Sequence, residues 1–93
     1  MKGEELSGAV VMDVRTQQEF DSGHYPQATH IPYDEISERA TELDFDKDQL
    51  VVVYCRSGNR AGKAKATLNQ LGYSNVINGV DQATVERLMT EED

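Results

Sequence analysis

The only cysteine of the chain, Cys55, stands where an apolar run meets a polar loop. Residues 50–54 read LVVVY, and the residues that follow Cys55 are Arg56, Ser57, Gly58, Asn59 and Arg60. A free cysteine most often packs as a small hydrophobic side chain. A protein core would not contain the polar loop that follows Cys55. The position of Cys55 therefore favours nucleophilic or group-transfer chemistry.

The loop after Cys55 has three features that favour a thiolate over a thiol. Gly58 permits a positive φ, so the N–H groups of residues 56–60 can turn toward the sulfur as an anion-binding nest. A helix that begins at Arg60 would direct its positive dipole end to the same place. With the two arginines, these groups predict a pKa for Cys55 below the value of about 8.5 of a free cysteine.

The charge distribution predicts an anionic ligand at this loop. The net charge is −8, which argues against nucleic acid and anionic membranes as partners. No Asp or Glu lies between Asp48 and Asp81, however, and that stretch contains four basic residues: Arg56, Arg60, Lys63 and Lys65. We therefore expect a small anionic substrate, no nucleic-acid or membrane partner, and a monomer.

Other site chemistries find little support in the sequence. A single cysteine cannot form an internal disulfide, and Cys55, His24 and His30 lack the spacing of metal ligands. We expect neither a metal nor a cofactor. The chain has no long apolar run and its first five residues do not form a signal peptide. As it stands the sequence predicts a cytoplasmic protein, whereas a mature fragment with its signal peptide removed would be periplasmic.

Short strands alternate with helical patterns along the chain. Continuous β-branched runs or short apolar segments predict strands at residues 9–12, 28–31, 50–54 and 74–77, the last followed by a turn at Asn78-Gly79. A capping box at residues 16–19 and apolar spacings of three and four predict helices from residue 17 and over residues 34–43, 60–71 and 82–89. Gly72 stands where a left-handed C-cap would end the helix over residues 60–71. We interpret residues 1–93 as one domain, ordered over about 5–90.

This alternation predicts an α/β fold with a parallel sheet. Ligands of such sheets bind at the carboxyl ends of the strands. Two polar segments follow strands there: residues 13–15 after the first strand and residues 55–60 after the strand that ends at Tyr54. The sequence therefore predicts one site, at that edge of the sheet, around Cys55.

Several motifs in a fixed order resemble a known family. They are Asp13-Val14-Arg15, Glu19-Phe20, residues 23–28 (GHYPQA), Ile31-Pro32 and residues 53–61 (VYCRSGNRA). Together they resemble the single-domain rhodaneses, or thiosulfate sulfurtransferases, and among these the small bacterial rhodaneses of the phage-shock type. The chain departs from the family pattern at Asn78-Gly79-Val80, where a Gly-Gly pair followed by a Trp is usual.

The resemblance implies a rhodanese-like fold, with a central five-stranded, mostly parallel sheet flanked by helices on both faces. It also implies that Cys55 takes a sulfane sulfur from thiosulfate as a persulfide and passes it to cyanide, a thiol or a protein acceptor. The substrate-binding loop would then comprise Arg56, Ser57, Gly58, Asn59 and Arg60. His24 would be a structural residue of a turn, and we expect Arg15 to pair with Asp13 or Glu19.

Two other functions remain open at this stage. The protein could be a persulfide carrier or interaction module with a dedicated protein partner, in which case transfer would be fast only to that partner. Phosphatases and arsenate reductases of this fold have one further residue between Cys and Arg than the six-residue loop from Cys55 to Arg60. That loop also contains no His or Asp as a general acid, so these activities rank lower.

Overall fold

Four parallel strands form the sheet in the part of the chain that the computed structural model describes, residues 9–26, 28–43 and 45–90. They are β1 (Val10–Asp13), β2 (Thr29–His30), β3 (Val51–Cys55) and β4 (Val76–Asp81), in the spatial order β2-β1-β3-β4. The predicted parallel α/β sheet is confirmed. The described ranges contain four strands and not the five implied by the resemblance, and residues 5–8 of the predicted ordered range lie outside them.

Strands β1 and β3 form the centre of the sheet and determine where the site lies. All five residues of β3 are buried, as the continuous β-branched run predicts. The two strands pair in register from Val10 with Val51 to Asp13 with Tyr54. Because the strands are parallel, the segments that follow Asp13 and Tyr54 emerge at the same edge of the sheet.

The remaining regular elements are α1 (Gln17–Asp21), α2 (Asn59–Gln70) and α3 (Gln82–Thr90). Helix α2 buries Ala61, Ala64 and Leu68 in the core on one face of the sheet. Helix α3 places Val85 in a second, smaller core on the other face. The predicted helices on both faces are thus confirmed, and within the described ranges no helix is long and apolar enough to cross a membrane.

The predicted helix signals at two places are confirmed. The Thr16 side chain accepts the backbone N–H of Glu19, and the Glu19 side chain accepts the backbone N–H of Thr16, which is the capping box. Helix α2 ends before Gly72, whose φ is +103°. The N–H groups of Gly72 and Tyr73 bond back to the carbonyls of Asn69 and Leu68, closing a left-handed C-terminal motif.

The predicted helix over residues 34–43 is wrong. That segment instead contains two short 3-10 helices, Tyr33–Glu35 and Ala40–Glu42. Most helical stability in proteins comes from packing an apolar face. Ile36 is buried, while Tyr33 and Leu43 pack against the core only half-buried, so the described side chains of the segment do not form the continuous buried face that a longer helix would need.

The predicted turn at Asn78-Gly79 is also wrong, because β4 continues through it to Asp81. Gly79 serves close packing: a Cβ there would lie 2.8 Å from both Val52 Cγ1 and Val85 Cγ2. The glycine therefore lets α3 approach the sheet. The register between β3 and β4 shifts between Val53 and Cys55, a bulge that changes the direction of β4 beside the Cys55 loop.

Candidate active site

Cys55 is the last residue of β3 and lies at the carboxyl edge of the sheet. Its side chain faces the core that α2 covers and is 2% exposed. The sulfur accepts the backbone N–H of Gly58 at 3.1 Å and that of Ala61 at 3.4 Å. The predicted cradle of loop amides around the sulfur is therefore present, and it extends one residue further than predicted, into the first turn of α2.

The chain forms this cradle because Gly58 adopts φ +90° and ψ −12°, a left-handed conformation that favours glycine. Gly58 occupies the N-cap position of α2 and has no side chain with which to cap the helix. The sulfur of Cys55 accepts the N–H of Ala61, the third residue of α2, which is the contact that a capping side chain would otherwise make. The thiol thus lies at the positive end of a 12-residue helix.

The electrostatic environment favours the thiolate. Burial alone would raise the pKa of the Cys55 thiol, because a charge is less stable away from water. The backbone N–H groups of Ala61, Ser57, Gly58 and Arg60 outweigh this effect, and the net pKa is lowered. The direction agrees with the expectation from sequence, and its main cause is the backbone of the loop.

Arg60 points its guanidinium at a carboxylate of α1. Its Nη1 and Nη2 donate to Glu19 Oε1 and Oε2 at 2.8 and 3.1 Å. The hydrogen bonds from Arg60 lower the pKa of Glu19 to about 2, so the pair is ionised at neutral pH. Sequence analysis assigned Glu19 to the capping box and named it as a possible partner of Arg15, but it did not predict the contact with Arg60. Both roles are compatible because a carboxylate accepts several hydrogen bonds.

The other side chains of the predicted binding loop lie at its outer surface. The Arg56 side chain is 74% exposed, with Nη1 4.0 Å from Glu19 Oε2. Ser57 and Asn59 are also exposed. Arg56 and Arg60 therefore both lie near Glu19. The structure thus places a carboxylate beside the Cys55 loop, although the sequence between Asp48 and Asp81 contains none.

A buried polar network supports the strand ends next to the site. Asp13 is fully buried and accepts hydrogen bonds from the backbone N–H, Nε and Nη2 of Arg15 and from the hydroxyl of Tyr54 at 2.8 Å. Arg15 Nη2 also donates to the Gly23 carbonyl, and Tyr54 Oη accepts the N–H of Tyr25. Burial raises the pKa of Tyr54 to about 12. The network joins β1, β3 and the segment after α1, so Arg15 has the structural role expected of it.

The two histidines take no part in the cradle. His24 Nδ1 lies 2.9 Å from the Phe20 carbonyl oxygen, and its ring stacks on Phe20 with centroids 3.7 Å apart. His30 Nε2 bonds the Arg15 carbonyl oxygen. Both imidazoles therefore hold backbone segments together. In the described ranges, no group of three or more His, Cys, Asp or Glu side chains could hold a metal ion.

Asn78 of β4 contacts the Cys55 loop through its side-chain amide. Its Nδ2 donates to the Gly58 carbonyl at 3.0 Å, and its Oδ1 accepts the backbone N–H of Val80 at 2.9 Å. Sequence analysis did not connect Asn78 with the site, because it assigned the residue to a turn. The extended backbone of β4 is what brings the side chain to Gly58.

Comparison with known proteins agrees with this arrangement. The family model for the rhodanese-like domain matches residues 2–80, most of the chain. The chain belongs to the rhodanese-like family. Within this rhodanese-like domain, Cys55 ends the buried strand β3, and a short polar loop leads from it into α2.

The rhodanese-like domain is similar to several bacterial proteins. It is 37% identical to the thiosulfate sulfurtransferase PspE of Escherichia coli over 72% of this chain and 64% of that protein. It is 41% identical to the thiosulfate sulfurtransferase GlpE of Pseudomonas syringae, over 74% of this chain and 63% of that protein. The putative sulfur carrier protein YrkF of Bacillus subtilis is 37% identical over 75% of this chain and 37% of its own length. The chain thus spans less than two thirds of these relatives.

Solved structures show the same fold. A rhodanese with anions from E. coli superposes with a TM-score of 0.75 at 33% identity, covering 82% of this chain and 89% of that one. A rhodanese-related protein from Thermoplasma volcanium superposes with a TM-score of 0.71 at 31% identity, covering 90% and 83%. These superpositions confirm the rhodanese fold for this chain.

Proposed function

We propose that this protein is a sulfurtransferase that moves a sulfane sulfur from thiosulfate to a thiophilic acceptor through Cys55. The observation that carries the proposal is the lone cysteine whose sulfur accepts backbone N–H groups at the start of α2, which lower the pKa of its thiol. Two similar proteins are named thiosulfate sulfurtransferases. Such a site offers a nucleophile together with hydrogen-bond donors that stabilise the negative charge on sulfur during the reaction.

The proposed reaction proceeds in two displacements at sulfur. The Cys55 thiolate attacks the outer sulfur of thiosulfate, the S–S bond of thiosulfate breaks, and sulfite leaves with the bonding electron pair. The outer sulfur stays on Cys55 as a persulfide that carries the negative charge. Cyanide or a thiolate then attacks that terminal sulfur, and the Cys55 thiolate leaves. No external oxidant or reductant is needed, because the sulfane sulfur moves as a neutral atom: each step breaks one S–S bond and forms one new bond to that same sulfur.

The amide cradle is suited to both steps. Negative charge passes from Sγ to the outer sulfur during loading and returns during unloading. Preorganised N–H groups that already face the sulfur need no reorganisation as the charge moves. The Cys55 loop contains no His or Asp that could act as a general acid. Sulfur transfer does not need one, because no leaving alcohol has to be protonated.

Loading with thiosulfate is the direct test of this function. The protein is incubated with thiosulfate and its intact mass is measured. We expect one added sulfur atom per chain, which cyanide then removes as thiocyanate. A mass that stays unchanged with thiosulfate, in protein that is folded by circular dichroism, would refute thiosulfate as a donor.

Arg60 and Arg56 are the side chains that we propose attract the donor, since guanidinium groups match arrays of sulfonate oxygens. Arg60→Ala should raise the thiosulfate concentration for half-maximal loading about 10-fold or more, because a charge-assisted hydrogen bond is worth about 1.5–3 kcal/mol. Arg56→Ala should change this concentration less, because the side chain is largely exposed.

Glu19→Gln should lower the thiosulfate concentration for half-maximal loading, since Arg60 would lose its competing carboxylate.

A matched control for these variants is Arg39→Ala, which removes a positive charge that is paired with Glu35 and Glu42 on another segment. It should leave the thiosulfate dependence unchanged. If Arg60→Ala matches Arg39→Ala in half-maximal concentration, the proposed role of Arg60 in donor binding is wrong.

The size of the loop tests the alternative of a phosphatase or arsenate reductase. One glycine inserted between Gly58 and Asn59 gives the longer spacing of those enzymes. We expect sulfur loading to fall about 100- to 1,000-fold, because the amides no longer converge on the sulfur and one lost preorganised donor costs about 2.7–4 kcal/mol. Stability should change less, by about 0.5–2 kcal/mol, because the insertion disturbs the N-cap of α2 and leaves the core in place.

The measurements are thiocyanate production, a thermal melt and hydrolysis of a small aryl phosphate. A glycine inserted between Asp48 and Gln49, before β3 begins, is the control for an added loop residue. Sulfur transfer at the wild-type rate in the folded Gly58–Asn59 insertion would show that loop size does not select sulfur. The loop length would then no longer be a reason to rank phosphatase activity below sulfur transfer.

A second candidate function is that of a persulfide carrier with a dedicated protein partner. The similarity to a protein named as a putative sulfur carrier favours it. Both functions use the same Cys55 persulfide and differ in the acceptor. Saturable turnover with cyanide or small thiols supports the enzyme, whereas release that is fast only to one protein supports the carrier.

A further inference from the structure

Val80 has a backbone conformation that a β-branched residue rarely adopts. Its φ is +72°, and it is the only described residue other than glycine with a positive φ. A left-handed conformation at such a residue is strained and persists only where its surroundings hold it. Strain of this kind is concentrated at functional sites.

Val80 lies against the Cys55 loop. A Cβ at Gly58 would be 3.5 Å from Val80 Cγ1 and 3.6 Å from Val80 Cα, so Val80 occupies the space next to Gly58 into which a side chain there would point. Gly58 is the residue whose N–H donates to the sulfur. The strained residue of β4 thus forms a wall beside the loop residue that contacts Cys55.

Asn78 binds both of these residues. Its Oδ1 accepts the N–H of Val80 at 2.9 Å, and its Nδ2 donates to the carbonyl of Gly58 at 3.0 Å. The same carbonyl accepts the N–H of Gly62 and begins the hydrogen bonding of α2. One half-buried amide therefore fixes the last peptide of the loop and the conformation of its neighbour on β4.

We propose that Asn78 is a positioning residue for the Cys55 nucleophile: its two hydrogen bonds hold Gly58 and Val80 in left-handed conformations, which keeps the loop amides directed at Sγ. Asn78 does not contact the sulfur, so it acts through Gly58. The chain has Asn78-Gly79-Val80 at this point, and an amide that bonds its own backbone two residues on compensates for the lack of a glycine at residue 80. The part of this inference that concerns catalysis rests on the proposed sulfur transfer.

The test compares Asn78→Ala with Asn75→Ala. Asn75 is a matched control because its Nδ2 also donates to a backbone carbonyl, that of Asp48, just before β4 begins. The first measurement is the rate of Cys55 alkylation by iodoacetamide against pH, with no sulfur donor present. The second is the rate of sulfur loading at saturating thiosulfate, and the third is a thermal melt.

We expect the alkylation midpoint of Asn78→Ala to rise by about 0.5–1 pH unit, since a hydrogen bond of net 0.5–1.5 kcal/mol corresponds to that shift. Loading should slow about 3- to 10-fold. For Asn75→Ala, the only change that we expect is a lower melting temperature. The alkylation midpoint and the loading rate should keep their wild-type values. A residue with only a structural role would not move the alkylation midpoint of the folded protein.

A second variant separates the two hydrogen bonds and remains informative if Asn78→Ala folds poorly. In Asn78→Ala/Val80→Gly the left-handed residue no longer needs support, so we expect the melting temperature to recover while the alkylation midpoint stays raised. Recovery of the wild-type midpoint in this double variant, or an unshifted midpoint in Asn78→Ala, would overturn the role of the Gly58 contact.

The outcome also distinguishes this inference from the proposed function. If the wild type gains no sulfur while Asn78→Ala still shifts the alkylation midpoint, sulfur transfer from thiosulfate is wrong and the role of Asn78 in holding the cradle stands. If the wild type gains sulfur and Asn78→Ala behaves like Asn75→Ala, the function stands and the role of Asn78 is wrong.

Discussion

Cys55→Ser is expected to fold and yet to gain no sulfur from thiosulfate and to produce no thiocyanate with cyanide. The chain has no other thiol, so no second residue can form a persulfide. Serine is close to cysteine in size and keeps an acceptor for the N–H groups of Gly58 and Ala61. Activity should fall to the level of the uncatalysed reaction, the largest effect that any single substitution here is expected to have.

The variant is examined by intact mass after thiosulfate, by thiocyanate production and by circular dichroism. Wild-type protein with its thiol blocked by alkylation provides a second control, because it keeps every other residue. Thiocyanate production at the wild-type rate in either protein would exclude Cys55 as the sulfur carrier. Loss of the folded spectrum would leave the blocked wild type as the deciding measurement.

Asp13→Ala is expected to cost about 3–5 kcal/mol of the free energy of unfolding, since it removes the partner of a buried charge. Asp13 is fully buried. Its carboxylate accepts three hydrogen bonds from the backbone N–H and the Nε of Arg15, and it forms an ion pair with Arg15 Nη2 at 2.7 Å. The Arg15 guanidinium is itself nearly buried. Against a total stability of about 5–15 kcal/mol for a domain, this loss brings the protein close to unfolding.

Chemical denaturation measures this loss, with three further variants for comparison. Asp21→Ala, on an exposed carboxylate that accepts only from Gln17 in the described contacts, should change stability by about 0.5 kcal/mol or less. Tyr54→Phe should cost about 1–3 kcal/mol because the N–H of Tyr25 loses its acceptor. Asp13→Ala/Arg15→Met should recover part of the loss, because no unpaired charge remains buried. A loss below 1 kcal/mol in Asp13→Ala would contradict this account.

The parts of the fold that sequence analysis predicted correctly are those with strong local signals. The β-branched run before Cys55 became a fully buried strand, and the capping box at Thr16 and the left-handed Gly72 lie where their patterns predicted. Each of these depends on a few adjacent residues. The helix predicted over residues 34–43 is wrong although its apolar spacing suits a helix, because the segment buries Ile36 fully but packs Leu43 against the core only in part.

The site shows the same division between local and tertiary information. The position of Cys55 and the conformation of Gly58 follow from the loop sequence itself, and both are confirmed. The partners of the loop come from distant segments: Glu19 is 41 residues from Arg60, and Asn78 is 20 residues from Gly58. A pattern within one sequence does not encode such pairs. Asn78-Gly79 has the local sequence of a turn, but the structure pairs Asn78 with Val53 of β3 and packs Gly79 closely against Val52 and Val85.

The sulfur of Cys55 occupies the place of a capping side chain at the start of α2. Ionisation of the thiol and folding of the domain are therefore linked equilibria. Because the folded pKa is lowered, the thiolate stabilises the native state in full above the pKa of the unfolded thiol, about 8.5, and this contribution is lost as the pH falls through the folded value. The native structure and the reactive form of the nucleophile thus favour each other. The domain is most stable in the ionisation state in which it is ready to react.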